Sequence, residues 1–379
     1  MDAALPDVPI VDVRCRVFRA PVNDAIAMAF APLTNRVMVL VEVHLADGSV
    51  GVGESWANYP PWAWRERVAT IREGVTPLLV GTCPGSPARA QRMLLDRLTP
   101  LGRQWGAPGP VHQAVSGVDI ALWDLAARHA GQSLGTLLSA GAPRGELPVY
   151  GSSLGPRDVA ATAERCAAAG LTAVKVKLGF GRERDLVNVR TARDVLGDGV
   201  RLFGDANQAW TLADALDITP ALADLGVEWL EEPLTGDRPE ELDELARRTG
   251  MALATGENVY GAAAFTPYLT GDGVRILQPD LSKVGGVTEY LRVLDAARSA
   301  GRAVYPHLYN GAVATAATVQ AGASNPDPSL IEWDVRANPL RQAANSLLTE
   351  HGTVHVPDRP GLGIDLDQRQ LTAYEEQLP

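Results

Sequence analysis

The 379-residue sequence predicts an α/β protein: a (β/α)8 TIM-type barrel with an N-terminal α+β capping domain that is completed by the C-terminal tail. Three observations predict it. From residue 147 to 333, short β-rich runs alternate with Ala- and Leu-rich amphipathic helices, the alternation of a parallel α/β sheet. That stretch holds eight such units, the number that closes a barrel. Residues 1–140 lack the alternation and open instead on two long β-rich runs and a hairpin signal.

The elements follow in order. Residues 11–18 are strand-like, and 36–45 read Arg-Val-Met-Val-Leu-Val-Glu-Val-His-Leu, rich in β-branched residues. Asp47-Gly48 turns the chain into a second strand over 50–54. Three helical patterns come next, the strongest over 111–130, where Val115, Val118, Ala121, Leu122 and Leu125 recur at helical spacing. The eight barrel strands are expected at 149–151, 173–178, 201–205, 228–231, 252–256, 274–278, 303–306 and 330–333. No Gly-x-Gly-x-x-Gly follows the first of them, so a dinucleotide fold loses its main support. Residues 334–379 lack the alternation and are expected to pack back on the capping domain.

Net charge is −11 with a pI near 5.1. That balance disfavours nucleic acid or an anionic membrane as partner, since both need a basic face. A small anionic substrate is compatible with it, because a metal ion reverses the local sign. Cys15, Cys83 and Cys166 form neither a zinc spacing nor a disulfide framework, and each is expected to be a small buried residue. The N-terminus has no signal-peptide pattern, and no run of about 18 apolar residues appears. A soluble cytoplasmic protein is the expectation.

The informative residues stand at strand ends. They are Lys175-Val-Lys177, Asp205-Ala-Asn207, Glu231-Glu232-Pro233, Gly256-Glu257-Asn258, Pro279-Asp280, Pro306-His307 and Ile331-Glu332-Trp333. Taken singly, each has a plain explanation: a solvated face, a helix cap, a structural histidine. Together they recur every 23 to 28 residues, one per βα unit, and in a ring of strands they converge at the C-terminal mouth. Asp205, Glu231 and Glu257 offer only oxygen, which suits Mg2+, one ion per subunit. Lys175 and Lys177 share a face. Their mutual repulsion and the nearby ion are expected to depress a lysine pKa, leaving a base near pH 7. Asp280 can hold one nitrogen of His307 and fix its tautomer.

These residues resemble the enolase superfamily, mandelate racemase subgroup (the mandelate racemase/muconate lactonizing enzyme family), over almost the whole chain. The segment from Asp119 to Asp124, Asp-Ile-Ala-Leu-Trp-Asp, looks like that family's capping-domain helix, and Lys283-Val-Gly-Gly its sixth-unit loop. The resemblance implies that Asp205, Glu231 and Glu257 bind Mg2+ and that Lys177 is a general base modulated by Lys175. It further implies that Asp280 and His307 form the opposing dyad, that Glu332, protonated, donates to the substrate carboxylate, and that Asn207 reaches the substrate. Asp280, where the muconate-lactonizing subgroup carries a lysine, selects the mandelate racemase subgroup together with His307. A small carboxylate substrate and a homo-oligomer, dimer to octamer, are expected.

The machinery serves a dehydratase of a hydroxylated carboxylic acid, the preferred outcome because dehydration dominates the subgroup, or a racemase or epimerase. A non-catalytic binding barrel is the alternative of another class, and the intact set of bases and ligands argues against it. Phe30 and Trp56, in the loops 25–33 and 56–64, and Tyr309 are candidate substrate contacts. Those loops look apolar, with few partners for a polyol acid, and the aromatics Trp56, Tyr59, Trp62 and Trp64 could equally pack the domain interface.

Overall fold

The computed structural model describes residues 3–378 apart from 328, 345 and 348. The side chains of 23–27 also lie outside the described set, and with them the loop contacts expected of Ala25, Ile26 and Ala27. Strands β1 (Ile10–Ala27), β2 (Pro32–Leu45) and β3 (Val50–Ser55) form an antiparallel sheet in that order. Alternation puts Val13, Cys15, Val17, Val37, Val39, Val41 and Val43 on one buried face. Helices α1 (Ala63–Ala69), α2 (Pro87–Trp105) and α3 (Pro108–His129) complete the domain. A Cβ on Gly53 would lie 1.9 Å from the Gly117 carbonyl, so α3 rests directly on the backbone of β3. β1 runs nine residues past the expected end, because its pairing with β2 resumes beyond an irregularity between Pro21 and Ile26.

The barrel strands are β4 (Glu146–Leu154), β5 (Ala173–Lys177), β6 (Arg201–Asp205), β7 (Val227–Glu231), β8 (Ala252–Thr255), β9 (Val274–Leu277), β10 (Ala303–Val304) and β11 (Ile331–Asp334). They pair in parallel as β11-β4-β5-β6-β7-β8-β9-β10. Among the described residues no ladder bond joins β10 to β11, but the Ser329 hydroxyl donates to the Val304 carbonyl at 2.8 Å across that seam. β10 is two residues long, short of the expected four; Pro306 has no N–H to continue a ladder. Tyr150, Phe203 and Trp229 fill the barrel centre, with ring centroids 4.4 to 6.0 Å apart, so the interior is a packed floor and the mouth is left for chemistry.

Two barrel helices matter below: α4 (Gly286–Ser299) follows β9, and α5 (Ala312–Ser324) follows β10. The capping domain grips the first. Asp119 on α3 accepts from Thr288 N at 2.9 Å and from the Thr288 hydroxyl at 2.6 Å, in the first turn of α4. The tail returns to both domains. Residues 353–355 pair antiparallel with β4, while Arg19 N donates to the Tyr374 carbonyl and Glu376 N to that of Val17. Cys15 and Cys166 are buried, whereas Cys83 is exposed, against expectation, in the turn before α2. No described helix is long and apolar enough to cross a membrane.

Candidate active site

Parallel pairing sets three strand ends abreast: Lys177 is in register with Asp205, and Asp205 with Glu231. Lys175, two residues back, shares the face of Lys177. Lys177 Nζ donates to Asp205 Oδ2 at 2.5 Å and to Asn207 Oδ1 at 3.0 Å. Lys175, fully buried, donates to Glu231 Oε2 at 2.5 Å and reaches Glu332 Oε1 at 2.9 Å. Gln278 Nε2 adds a third donor to the site, on Glu231 Oε2 at 2.6 Å.

The other side of the mouth is built on loops beyond β8, β9 and β10. His307 Nδ1 stands 2.7 Å from Asp280 Oδ2, and its Nε2 is 2.8 Å from Glu257 Oε2. Asp280 is itself fixed, since Oδ1 accepts from Ser282 N and from the Ser282 hydroxyl. Lys283 Nζ lies 3.2 Å from both Glu257 Oε2 and Asn258 Oδ1. Glu332, inside β11, uses both oxygens as acceptors, from Lys175 and from Leu308 N at 3.2 Å.

Charge follows from these contacts. Burial disfavours the Lys175 ammonium, but Glu231, Glu332 and Asp205 outweigh it and hold its pKa well above the ordinary value. Lys177 is raised in the same way, burial opposing and Asp205 prevailing. Mutual repulsion is outweighed in these contacts because each ammonium sits on a carboxylate, Lys177 on Asp205 and Lys175 on Glu231. Burial also pulls His307 down, yet Glu257 and Asp280 raise it to about 10. Burial and the neighbouring Asp205 lift Glu231 to about 7, Lys175 opposing.

Asp205, Glu231 and Glu257 are the residues that could hold a divalent ion. Their donor set is all oxygen, and Glu231 Oε1 is buried with no hydrogen-bond partner, an acceptor short of a cation or donor. They fit Mg2+ in chemistry. Their poses differ from the shared ligation expected: among the described residues no three His, Cys, Asp or Glu side chains are grouped so as to hold a metal. The reason is local. Each carboxylate is drawn to a cation of the chain itself, Lys177, Lys175 or the Lys283–His307 pair.

A cavity of about 220 Å3 opens above these groups, lined by Lys177, Asn207, Glu257, His307 and Glu332 together with Phe30, Trp56 and Tyr309. Lys175, Asp205, Glu231 and Asp280 stand behind its wall. Trp56 and Tyr59 line it, Trp64 is buried in the capping core, and Trp62 points to solvent. The loops meet the cavity through apolar and aromatic side chains, Met28, Phe30, Trp56 and Tyr59, and its polar lining comes from other elements. Gln113 from α3 and Ser153, Asn258, Tyr260 and Lys283 from the barrel also line it. The Tyr309 hydroxyl is buried beside the Ser153 hydroxyl and the Arg36 guanidinium. Sequence reasoning singled out Tyr309 but missed Gln113, Ser153 and Tyr260. Lys283, 4.4 Å above the Trp56 ring, lies three residues after Asp280 and opens the Lys-Val-Gly-Gly run, whose resemblance assigned it no role in the site. Ser153 adopts φ 72° at an irregularity of β4, with its carbonyl held by Arg336 Nε at 3.0 Å; nothing in the sequence announces that.

Comparison with known proteins accords with this architecture. The family model described as enolase C-terminal domain-like matches residues 158–370, and that of the mandelate racemase / muconate lactonizing enzyme N-terminal domain matches 10–139. The chain is 33% identical to a D-galactarolactone cycloisomerase of Agrobacterium fabrum, over 96% of this chain and 98% of that one. It is 29% identical to an L-talarate/galactarate dehydratase of Salmonella typhimurium, over 92% and 86%. A solved mandelate racemase/muconate lactonizing enzyme from Bordetella bronchiseptica superposes with a TM-score of 0.88 at 37% identity, covering 97% of this chain and 99% of that one. A racemase from Streptomyces coelicolor, solved with bound magnesium, superposes at 0.86 with 26% identity, over 97% and 100%.

Proposed function

The chain belongs to the enolase superfamily, in its mandelate racemase and muconate lactonizing enzyme family, and is a lyase or isomerase; from that premise we propose that it removes the proton α to a carboxylate and eliminates a β-hydroxyl from a hydroxylated acid. One observation carries this. Lys177, on the second strand of the ring, and the Asp280-backed His307, after the seventh, line a single small cavity with Glu332. One of the two takes the α-proton, and the bond electrons pass into the substrate carboxylate as an enediolate. The other gives a proton to the departing β-hydroxyl, so water leaves; where the α-carbon bears a hydroxyl as well, the enol so formed takes a proton at the β-carbon and becomes a 2-keto acid. Mg2+, held by Asp205, Glu231 and Glu257, would supply positive charge to that carboxylate. A Lys or His base working beside Mg2+ is already the general pattern of this superfamily.

Polar groups around the cavity support a hydroxylated substrate, because the Ser153 and Tyr309 hydroxyls, Asn207 and Lys283 line it. The second reading is isomerisation: racemisation or epimerisation, with the two groups serving opposite faces of the α-carbon. The presence of two base-capable groups favours it, and so does the likeness to a cycloisomerase. Solvent-deuterium exchange at the α-carbon, run with Mg2+ over hydroxylated mono- and diacids, tests the proton abstraction. Keto-acid release supports dehydration; isomer interconversion without keto acid would replace it. The proposal includes action in the cytoplasm as a homo-oligomer, dimer to octamer, and sedimentation as a single 40.2 kDa species would overturn the assembly.

A further inference from the structure

Where β3 ends, the chain crosses onto the barrel at alternate residues. Glu54, 1% exposed, accepts from Gly311 N at 2.7 Å through Oε1 and from Ala314 N at 2.8 Å through Oε2. Trp56 N donates to the Ser282 carbonyl at 3.3 Å. Asn58 Nδ2 donates to the Tyr309 carbonyl at 2.7 Å, while its Oδ1 accepts from Val37 N at 2.8 Å and so ties it to β2.

The groups they touch flank the two halves of one pair. Ser282 holds Asp280, and Asn310 Nδ2 donates to the Ser282 hydroxyl at 2.6 Å. Tyr309 and Gly311 follow His307 within four residues. The strand before this loop, β10, has two residues and no ladder on its β11 side among the described residues. Lys177 is placed differently. It ends a five-residue strand paired on both sides, to β4 and to β6. Barrel ladders thus fix Lys177, while the loop bearing His307 is held by side chains, Glu332 and Asn338 on one side and Glu54 and Asn58 of the capping domain on the other.

We infer that Glu54 and Asn58 are positioning residues for the His307–Asp280 pair, holding it by fastening the 307–311 loop to the capping domain. The inference rests on the proposal that this pair does acid/base work. Neither residue lines the cavity, so neither is catalytic; they act through backbone groups of the loop. Misplacement of a reacting group by about 1 Å costs on the order of 100-fold in rate, and the carbonyl Asn58 holds is two residues from the imidazole.

The test compares Asn58→Asp and Glu54→Gln with the parent chain. Asn58→Asp keeps the acceptor for Val37 N and loses the donor to Tyr309. Glu54→Gln keeps the volume and turns one acceptor into a donor that faces an amide. The first readout is the ring-nitrogen NMR signal of His307, identified among the six histidines by its loss in His307→Asn. The His307 signal is expected to move or broaden in Asn58→Asp while the other five stay. The second readout is α-proton exchange, assigned to each base with His307→Asn and Lys177→Ala. Exchange through His307 should fall on the order of 10- to 100-fold, and exchange through Lys177 should stay within about twofold. An unmoved His307 signal in Asn58→Asp, or equal losses through both bases, overturns the inference. If the parent chain exchanges no α-proton, the proposed reaction fails, and the NMR signal still decides the positioning. Should Glu54→Gln fail to fold, Asn58→Asp alone decides it.

Discussion

Lys177 shares its proton with Asp205 and Asn207, and a base needs that lone pair free. A divalent ion on Asp205 would compete with the ammonium for the same oxygen, so ion binding and lysine basicity should be linked. Chelation is expected to abolish turnover and Mg2+ to restore it; full activity in a metal-free sample would end the proposal. Asp205→Asn should weaken Mg2+ binding in calorimetry, whatever the reaction. Lys177→Ala and His307→Asn should each cost on the order of 10² to 10⁴ in rate. At this scale the sequence was readable where chemistry repeated in phase. The step of 23 to 28 residues finds Lys177, Asp205, Glu231, Glu257, Asp280, His307 and Glu332. It could not find which oxygen each cation would choose, since that depends on side-chain geometry. Lys177 on Asp205 and Lys175 on Glu231 are such choices.

Helices α4 and α5 each begin against a buried carboxylate of the capping domain, Asp119 and Glu54. The amides and the helix dipole favour the anion there, yet burial dominates and raises Asp119 from 3.8 to about 7. Glu54 rises from 4.5 to about 7 for the same reason, its bonds from Ala314 and Gly311 opposing. A carboxylate whose folded pKa lies above its unfolded one binds its proton more tightly when folded. Its ionisation therefore opposes folding, and stability falls as pH rises from about 3.8 to about 7 at Asp119. Asp119→Asn, which keeps one acceptor, should gain stability relative to the parent between pH 4.5 and pH 8, read as the difference in urea midpoints. Equal differences at the two pH values would show that Asp119 does not carry the slope. Asp119→Ala, by contrast, should lose about 1–2 kcal/mol as a missing cap. The strands themselves were legible to within a few residues from β-branched runs. Their ends were not, because pairing partners decide them: β1 follows β2 to Ala27, and β10 stops before Pro306.

The two-domain layout was legible in the change of texture near residue 147, since a βα repeat and an antiparallel hairpin bury apolar residues at different periods. The tail was harder, having no period of its own. It was expected on the capping domain, where Tyr374 and Glu376 do pair with β1, but it also adds residues 353–355 to the side of β4. Leu371, fully buried within the main core cluster, anchors it. Leu371→Ala should cost about 2–5 kcal/mol, measured by urea unfolding, and amide exchange should accelerate along β1; a protected β1 in that variant would show that the tail is not its support. The Arg16–Glu375 ion pair, partly exposed, should contribute about 0–1 kcal/mol.

That same pair spans 359 positions. On a ribosome adding about 5–20 residues per second, β1 waits many seconds for the segment that closes its edge. The capping sheet therefore spends its early life with an open strand of unpaired amides, the kind of edge that invites another chain. A chaperone that shields extended edges would serve this protein most before its tail emerges. Once the tail has paired with β1, the edge is covered around Phe18.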